Sequence, residues 1–236
     1  MTEAAQYKLF RIIVLIVAGL CCSTALSVAG TAIVSIQGVE LRVPVASQYE
    51  QRFLSTIKQE RDYSCGSAAV ATLLTHHYEH PVSEHDVFYL MYRNGNQQQI
   101  RRDGFSLLDM KLYLEAQGFH ADGYRLSLDK LAEVGVPAIT LINDDGYRHF
   151  VVIKGIERGY ILLGDPARGT RAMARDRFEK IWNGIAFLIR DKRQIASTHF
   201  NRAEEWRVAA IAPLASTLPR EGVASLLLSL PRAHEF

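Results

Sequence analysis

A change of hydrophobic period near residue 136 constrains this chain more than any other feature of its sequence. Before it, apolar side chains recur at helical spacing; after it, they come in short β-branched and aromatic runs parted by turn residues. In "CGSAAVATLLTHHY", residues 65–78, Ala68, Ala69, Ala71, Leu73 and Leu74 predict a helix that buries one side. "SEHD", 83–86, offers a helix cap ahead of "VFYLMY". "SLLDMKLYLEAQG" starts at Ser106 with Asp109 three residues on, carries Leu108, Leu112 and Tyr113 on a face, and stops at Gly118. "SLDKLAEVG" repeats that grammar in shorter form, whereas "YRNGNQQQIRRDG", 92–104, has no period and reads as a loop.

Beyond residue 136, "VPAITLI", "YRHFVVIKGI", "GYILLGD" and "GIAFLIR" read as strands, separated by "NDDG", "ERG" and "PARG" turns. One helix, "RDRFEKIW", precedes the last of them. Helices first and an antiparallel sheet afterwards define an α+β domain over residues 55–192. A chain of 236 residues, 48% hydrophobic, can bury one core and a small appendage. Residues 30–54 form a lead-in, in which "VELRVPVA" suits one strand. Residues 193–236 form an Ala/Leu/Ser-rich tail, punctuated by three prolines and without a motif.

The first 29 residues are of another kind. Lys8 and Arg11 precede "IIVLIVAGLCCSTALSVAG", the pattern of a secretory signal cleaved after Ala29. An uncleaved anchor is the alternative, because a run of roughly 18 apolar residues spans a bilayer. Ser23, Thr24 and Ser27 weaken the far end and favour cleavage. The bulky Leu20 before Cys21 fits a lipoprotein signal poorly. Either way the working domain is expected in the periplasm, with membrane contact through this segment alone. A net charge of +2, from 27 basic and 25 acidic residues, gives no reason to expect nucleic acid as a partner. The eight histidines have no zinc-ligand spacing, so neither a metal nor an organic cofactor is expected.

With Cys21 and Cys22 in the exported segment, Cys65 is the lone cysteine of the working domain. It has no partner for an internal disulfide, and a free thiol is a liability outside the cytoplasm. Its position at a helix start, where unpaired amides favour the thiolate, points to a nucleophile. A base and an orienting acid are then required. His149 opens the buried run "HFVVI", Asp165 ends the next strand, "YILLGD", and antiparallel pairing about "ERG" brings the two together. Gln59, six residues before Cys65, offers an amide N–H that would join the Cys65 backbone amide in holding an oxyanion.

Gln59, then Cys65 at a helix start, then "HFVVI", then "GDP" resembles the papain-like cysteine peptidases that process bacteriocins by cutting leader peptides after Gly-Gly. The resemblance spans about 130 residues, from near 57 to 190. It implies a papain-like fold, with Cys65 as nucleophile, His149 as base, Asp165 as orienting acid and Gln59 in the oxyanion site. The bacteriocin enzymes are often fused to ABC exporters; this sequence has neither a transporter region nor an ATPase. It looks like a free-standing exported member, similar to the cysteine proteases of Fap-type functional-amyloid export systems. The implied partner is a protein or peptide substrate, an exported protein or a component of its secretion apparatus. Two other readings stay open: a non-catalytic domain that guides a secretion substrate, and a thiol transferase acting on small amides. Arg93, Arg101 and Arg102 read first as solvated loop charges, and Tyr147 and Trp182 as packing.

Overall fold

A computed structural model describes residues 30–36, 39–45, 47–157 and 159–209. The expected signal or anchor at 1–29 and the tail from 210 onward lie outside the described residues. The chain divides into two units, residues 1–47 and 48–236. In the first, β1 (Gly30–Ile36) and β2 (Val39–Val45) pair antiparallel from Gly30↔Val45 to Ile36↔Val39, so the lead-in holds two strands where the sequence suggests one.

The second unit runs α1 (Gln48–Arg52), α2 (Cys65–His77), α3 (Glu84–Asn94), α4 (Gln97–Asp103), α5 (Leu107–Ala116), β3 (Ala121–Arg125), α6 (Leu128–Val134), β4 (Ala138–Asp144), β5 (Tyr147–Glu157), β6 (Tyr160–Asp165), β7 (Gly169–Ala174), α7 (Arg175–Ile181), β8 (Ile185–Ile189), α8 (Arg193–Thr198) and α9 (Ala203–Ala209). Its six strands are ordered β3-β8-β4-β5-β6-β7, every pair antiparallel. The helices come mainly before the sheet, as the change of period requires.

Helix α2 lies against β5, with β4 and β6 beside it. It is buried on every face from Cys65 to Leu74 rather than on one side. Its small residues make that possible. A methyl on Gly66 would lie 2.8 Å from Met110 Cε and 2.9 Å from Phe105 Cβ, so α5 and the loop before it approach the α2 backbone directly. Ser106 and Asp109 form the expected capping box on α5, but Leu108 and Leu112 are exposed, and Met110, Tyr113 and Leu114 face the core.

Several elements of the second unit depart from the sequence reading. The segment expected to be a loop at 92–104 contains α4, capped by Asn96 Oδ1 on Gln99 N at 3.2 Å and anchored by buried Ile100. Strands β3 ("ADGYR") and β7 ("GTRAMA") form the two sheet edges, although neither has a β-branched run. Residues 193–209 also fold onto the rest of the second unit. At a β5 bulge between Ile153 and Gly155, Asn201 N donates to Lys154 O at 2.9 Å, and Ile156 N donates to Asn201 Oδ1 at 2.7 Å. The bulge turns Lys154 inward. Its fully buried ammonium meets Glu205 Oε2 at 2.7 Å and donates to Ser55 O and Ser55 Oγ, both at 2.8 Å.

Candidate active site

Cys65 opens α2, so its amide is among the helix's first N–H groups, which have no intrahelical acceptor. The side chain of Ser64, the residue before, turns away from the helix end and closes the preceding loop. Ser64 Oγ accepts from Arg61 N and donates to Arg61 O, both at 3.0 Å. The first turn is therefore rigid, and the amide of Cys65 stays available.

His149 and Asp165 come from neighbouring strands. The pairing of Val152 with Gly164 puts Asp165 across from residue 151 and His149 diagonal to it. His149 Nε2 donates to Asp165 Oδ1 at 2.8 Å, and both side chains are almost wholly buried. Asp165 Oδ1 also accepts from Ala167 N at 2.9 Å and Arg168 N at 3.2 Å, while Oδ2 accepts from Arg171 Nε at 2.9 Å. The residue is at once turn starter and hydrogen-bond acceptor. Burial by itself would raise the Asp165 carboxyl, but His149, Arg171 and the turn amides outweigh it and hold the pKa at about 2.

The imidazole is pulled the other way. Burial disfavours its charged form, yet Asp165 and Cys65 together raise His149 from 6.5 to about 9. With Nε2 on Asp165, the ring nitrogen left for Cys65 is Nδ1, which is buried and makes no hydrogen bond among the described residues. The imidazole thus sits between sulfur and carboxylate, its tautomer fixed by Asp165. Tyr147, expected as a packing residue, is 53% exposed and packs by stacking on His149, with ring centroids 5.4 Å apart and planes at 24°.

Gln59 is tied to the same corner through its backbone, whose N–H donates to Pro166 O at 3.0 Å. Its side-chain Nε2 donates to Arg61 O at 2.9 Å, which leaves the second amide hydrogen for an oxyanion. The buried Gln59 Oε1 has no hydrogen-bond partner among the described residues.

A cleft of about 570 Å³ opens beside Cys65, lined by Phe105, Leu107, Leu141, Phe150, Asp103 and Arg148 among others. Arg101 and Arg102 are exposed on α4, where Arg102 pairs with Asp103 at 2.8 Å. Arg93 reaches over the ring of Tyr89. Trp182 packs on Phe178 and donates its indole N–H to Ile185 O at 3.1 Å, as a packing residue does. Among the described residues no group of three or more His, Cys, Asp or Glu side chains could hold a metal, and no helix is long and apolar enough to cross a membrane. Sequence reasoning missed Arg171, because β7 itself was not legible, and missed the stacking of Tyr147. The i, i+2 spacing of Tyr147 and His149 was the available signal for the latter.

A buried cysteine at a helix start, an imidazole hydrogen-bonded to a buried carboxylate, and helices packed on an antiparallel sheet define a papain-like thiol-hydrolase arrangement. Residues 54–194 match the Peptidase C39 family, and the chain belongs to it. It is similar to proteins named "Probable functional amyloid protease FapD". The one from Pseudomonas fluorescens is 42% identical over 145 residues, which are 61% of this chain and 64% of that protein. The one from Pseudomonas aeruginosa is 41% identical over the same shares. The chain therefore spans somewhat less than two thirds of the length of these relatives. In fold it is similar to the peptidase domain of Streptococcus ComA, a bi-functional ABC transporter involved in quorum sensing: TM-score 0.50 and 21% identity, covering 57% of this chain and 96% of that one.

Proposed function

We propose that this chain is a cysteine endopeptidase that cuts an exported protein or a component of its secretion apparatus after small residues such as Gly-Gly. The observation that carries the reading is the buried His149 Nε2–Asp165 Oδ1 hydrogen bond of 2.8 Å, which leaves Nδ1, without another partner among the described residues, to serve Cys65. His149 Nδ1 takes the proton of Cys65, and the thiolate attacks the scissile carbonyl. The Cys65 amide and the free N–H of Gln59 hold the oxyanion. The imidazolium gives its proton to the leaving amine, and water, activated by the same ring, releases the acyl group. Asp165 keeps the tautomer and stabilises the imidazolium throughout.

The relatives named as functional amyloid proteases support a role in functional-amyloid export. The apolar N-terminal sequence supports work in the periplasm, whether that segment is cleaved or stays as an anchor. The test is to incubate the chain, reduced, beside its Cys65→Ala variant with peptides that contain Gly-Gly and other small-residue junctions. Cleavage would be read by mass spectrometry. Cuts made by the parent alone support the proposal. Peptides retained uncut and equally by both proteins would favour a binding groove instead.

A further inference from the structure

Among the described residues the proposed mechanism leaves two buried acids unused, Glu205, which pairs with Lys154, and Glu84. Glu84, the first residue of α3, is 4% exposed; its Oε1 lies 2.7 Å from Ser67 Oγ, and its buried Oε2 has no hydrogen-bond partner among the described residues. Ser67 stands one turn into α2, and its hydroxyl also lies 2.9 Å from Ser64 O. A serine has a single hydroxyl proton. If Glu84 were a carboxylate, that proton would have two acceptors and one contact would go unmade. If Glu84 is a carboxylic acid, it donates to Ser67 Oγ, Ser67 donates to Ser64 O, and both contacts are hydrogen bonds.

The far end of this relay is what matters. Ser64 O, which also accepts from Ala68 N at 3.1 Å, and Cys65 N–H belong to one planar peptide unit. Gripping the oxygen fixes the direction in which the N–H points. A neutral Glu84 also leaves the positive field of the α2 N-terminus uncancelled.

We infer that Glu84 is a positioning residue: as a carboxylic acid it acts through Ser67 on the Ser64–Cys65 peptide and aims the Cys65 amide at the oxyanion. This rests on Cys65 being the nucleophile. Burial raises Glu84 above the usual carboxylate range; the hydroxyls of Ser67 and Ser64 oppose that, Glu60 in the preceding loop adds to it, and the neighbouring Arg61 opposes it.

The test compares two reactions of Cys65 in the full chain. Acylation by p-nitrophenyl acetate needs an oxyanion donor and no peptide recognition, whereas alkylation by iodoacetamide forms no oxyanion. Losing one oxyanion donor outright costs about 100-fold or more, so a misaimed one is expected to slow acylation about tenfold. Glu84→Ala and Ser67→Ala should each show that loss with alkylation unchanged, and the double variant should lose no more than either. Glu84→Gln, which restores a neutral donor, should keep acylation within about threefold of the parent. It should also abolish the fall in the parent's acylation-to-alkylation ratio as pH rises through the Glu84 pKa. Acylation unchanged in Glu84→Ala and Ser67→Ala overturns the inference, as does alkylation slowed in step with acylation, or Glu84→Gln behaving as Glu84→Ala. Ser67→Ala carries the test if Glu84→Ala does not fold. A parent that acylates no faster than Cys65→Ala would sink the nucleophile reading itself, and this inference with it.

Discussion

Replacing Glu205 by Gln removes the carboxylate that pairs with Lys154 among the described residues and leaves the shape nearly unchanged. Lys154 is fully buried, and even beside Glu205 its burial holds it near 8 instead of 10.5. Without the carboxylate the amine must enter the fold neutral at pH 7. Discharging a lysine of ordinary pKa at that pH costs about 5 kcal/mol, of which a folded pKa near 8 already costs the parent about 3, so the variant loses about 1.4 kcal/mol more. That is less than the roughly 3–5 kcal/mol of a buried pair broken with its second charge retained, because here the amine sheds its charge. At about 2–4 °C per kcal/mol for a domain of this size, Tm should fall by roughly 3–6 °C.

The pH dependence has a definite sign. A lysine depressed in the folded state contributes a deficit that is full below its folded pKa and vanishes above its ordinary 10.5. In Glu205→Gln the folded pKa drops further, so stability should climb more steeply with pH than in the parent, and the gap should narrow by pH 10. Thermal melts of both proteins by circular dichroism, at pH 7 and pH 10, give the answer. A Tm within 2 °C of the parent at pH 7, or a gap as wide at pH 10 as at pH 7, would refute the reasoning.

Other outcomes follow from the same structure. Asp165→Asn should lower kcat/KM by at least about 100-fold and shift its alkaline limit downward, since the carboxylate is one of the two groups that raise His149; a pH–rate profile of both proteins measures it. In the parent that limit should lie near pH 9, where the His149 imidazolium titrates. Stability should respond to the same pair. The His149 contribution is full below 6.5 and lost as pH rises through about 9, while that of Asp165 is full above 3.8 and lost as pH falls through about 2; urea melts across pH test both limbs. Gly66→Ala puts a methyl under 3.0 Å from Met110 and Phe105, and should cost about 1–3 kcal/mol by denaturant unfolding.

Much of this site was legible because its parts are local. His149 and Asp165 belong to strands joined by a short turn, so register alone brings them together, and a helix start is marked by its own residues at Cys65. What escaped depends on distant partners. Helix α4 has one buried apolar residue, Ile100, too little for a period. Strands β3 and β7 bury only single apolar side chains, Ala121 and Met173, too few to show a period, and Arg171 was hidden with β7. Leu108 and Leu112 follow the helical grammar yet face outward, because Gly66 draws the other side of α5 toward α2. Helix α9 packs through Glu205, which no apolar pattern announces. Tyr147 reads as packing from the sequence, and its partner in that packing, His149, follows from strand spacing.

The split of the reactive line between a hairpin and a distant helix bears on when the thiol becomes dangerous. The imidazole and carboxylate are sixteen positions apart and come together as soon as two adjoining strands zip up. The sulfur is 84 positions upstream of the imidazole and arrives only when its helix seats in the finished interior. Long-range closure of this kind comes late, because the chain entropy it costs is recovered only once the intervening parts are in place. A chain still being threaded or refolded therefore carries an ordinary thiol. On the proposed mechanism, seating of the helix is the event that arms it, and the fold itself then guards against cutting of neighbours while the chain folds.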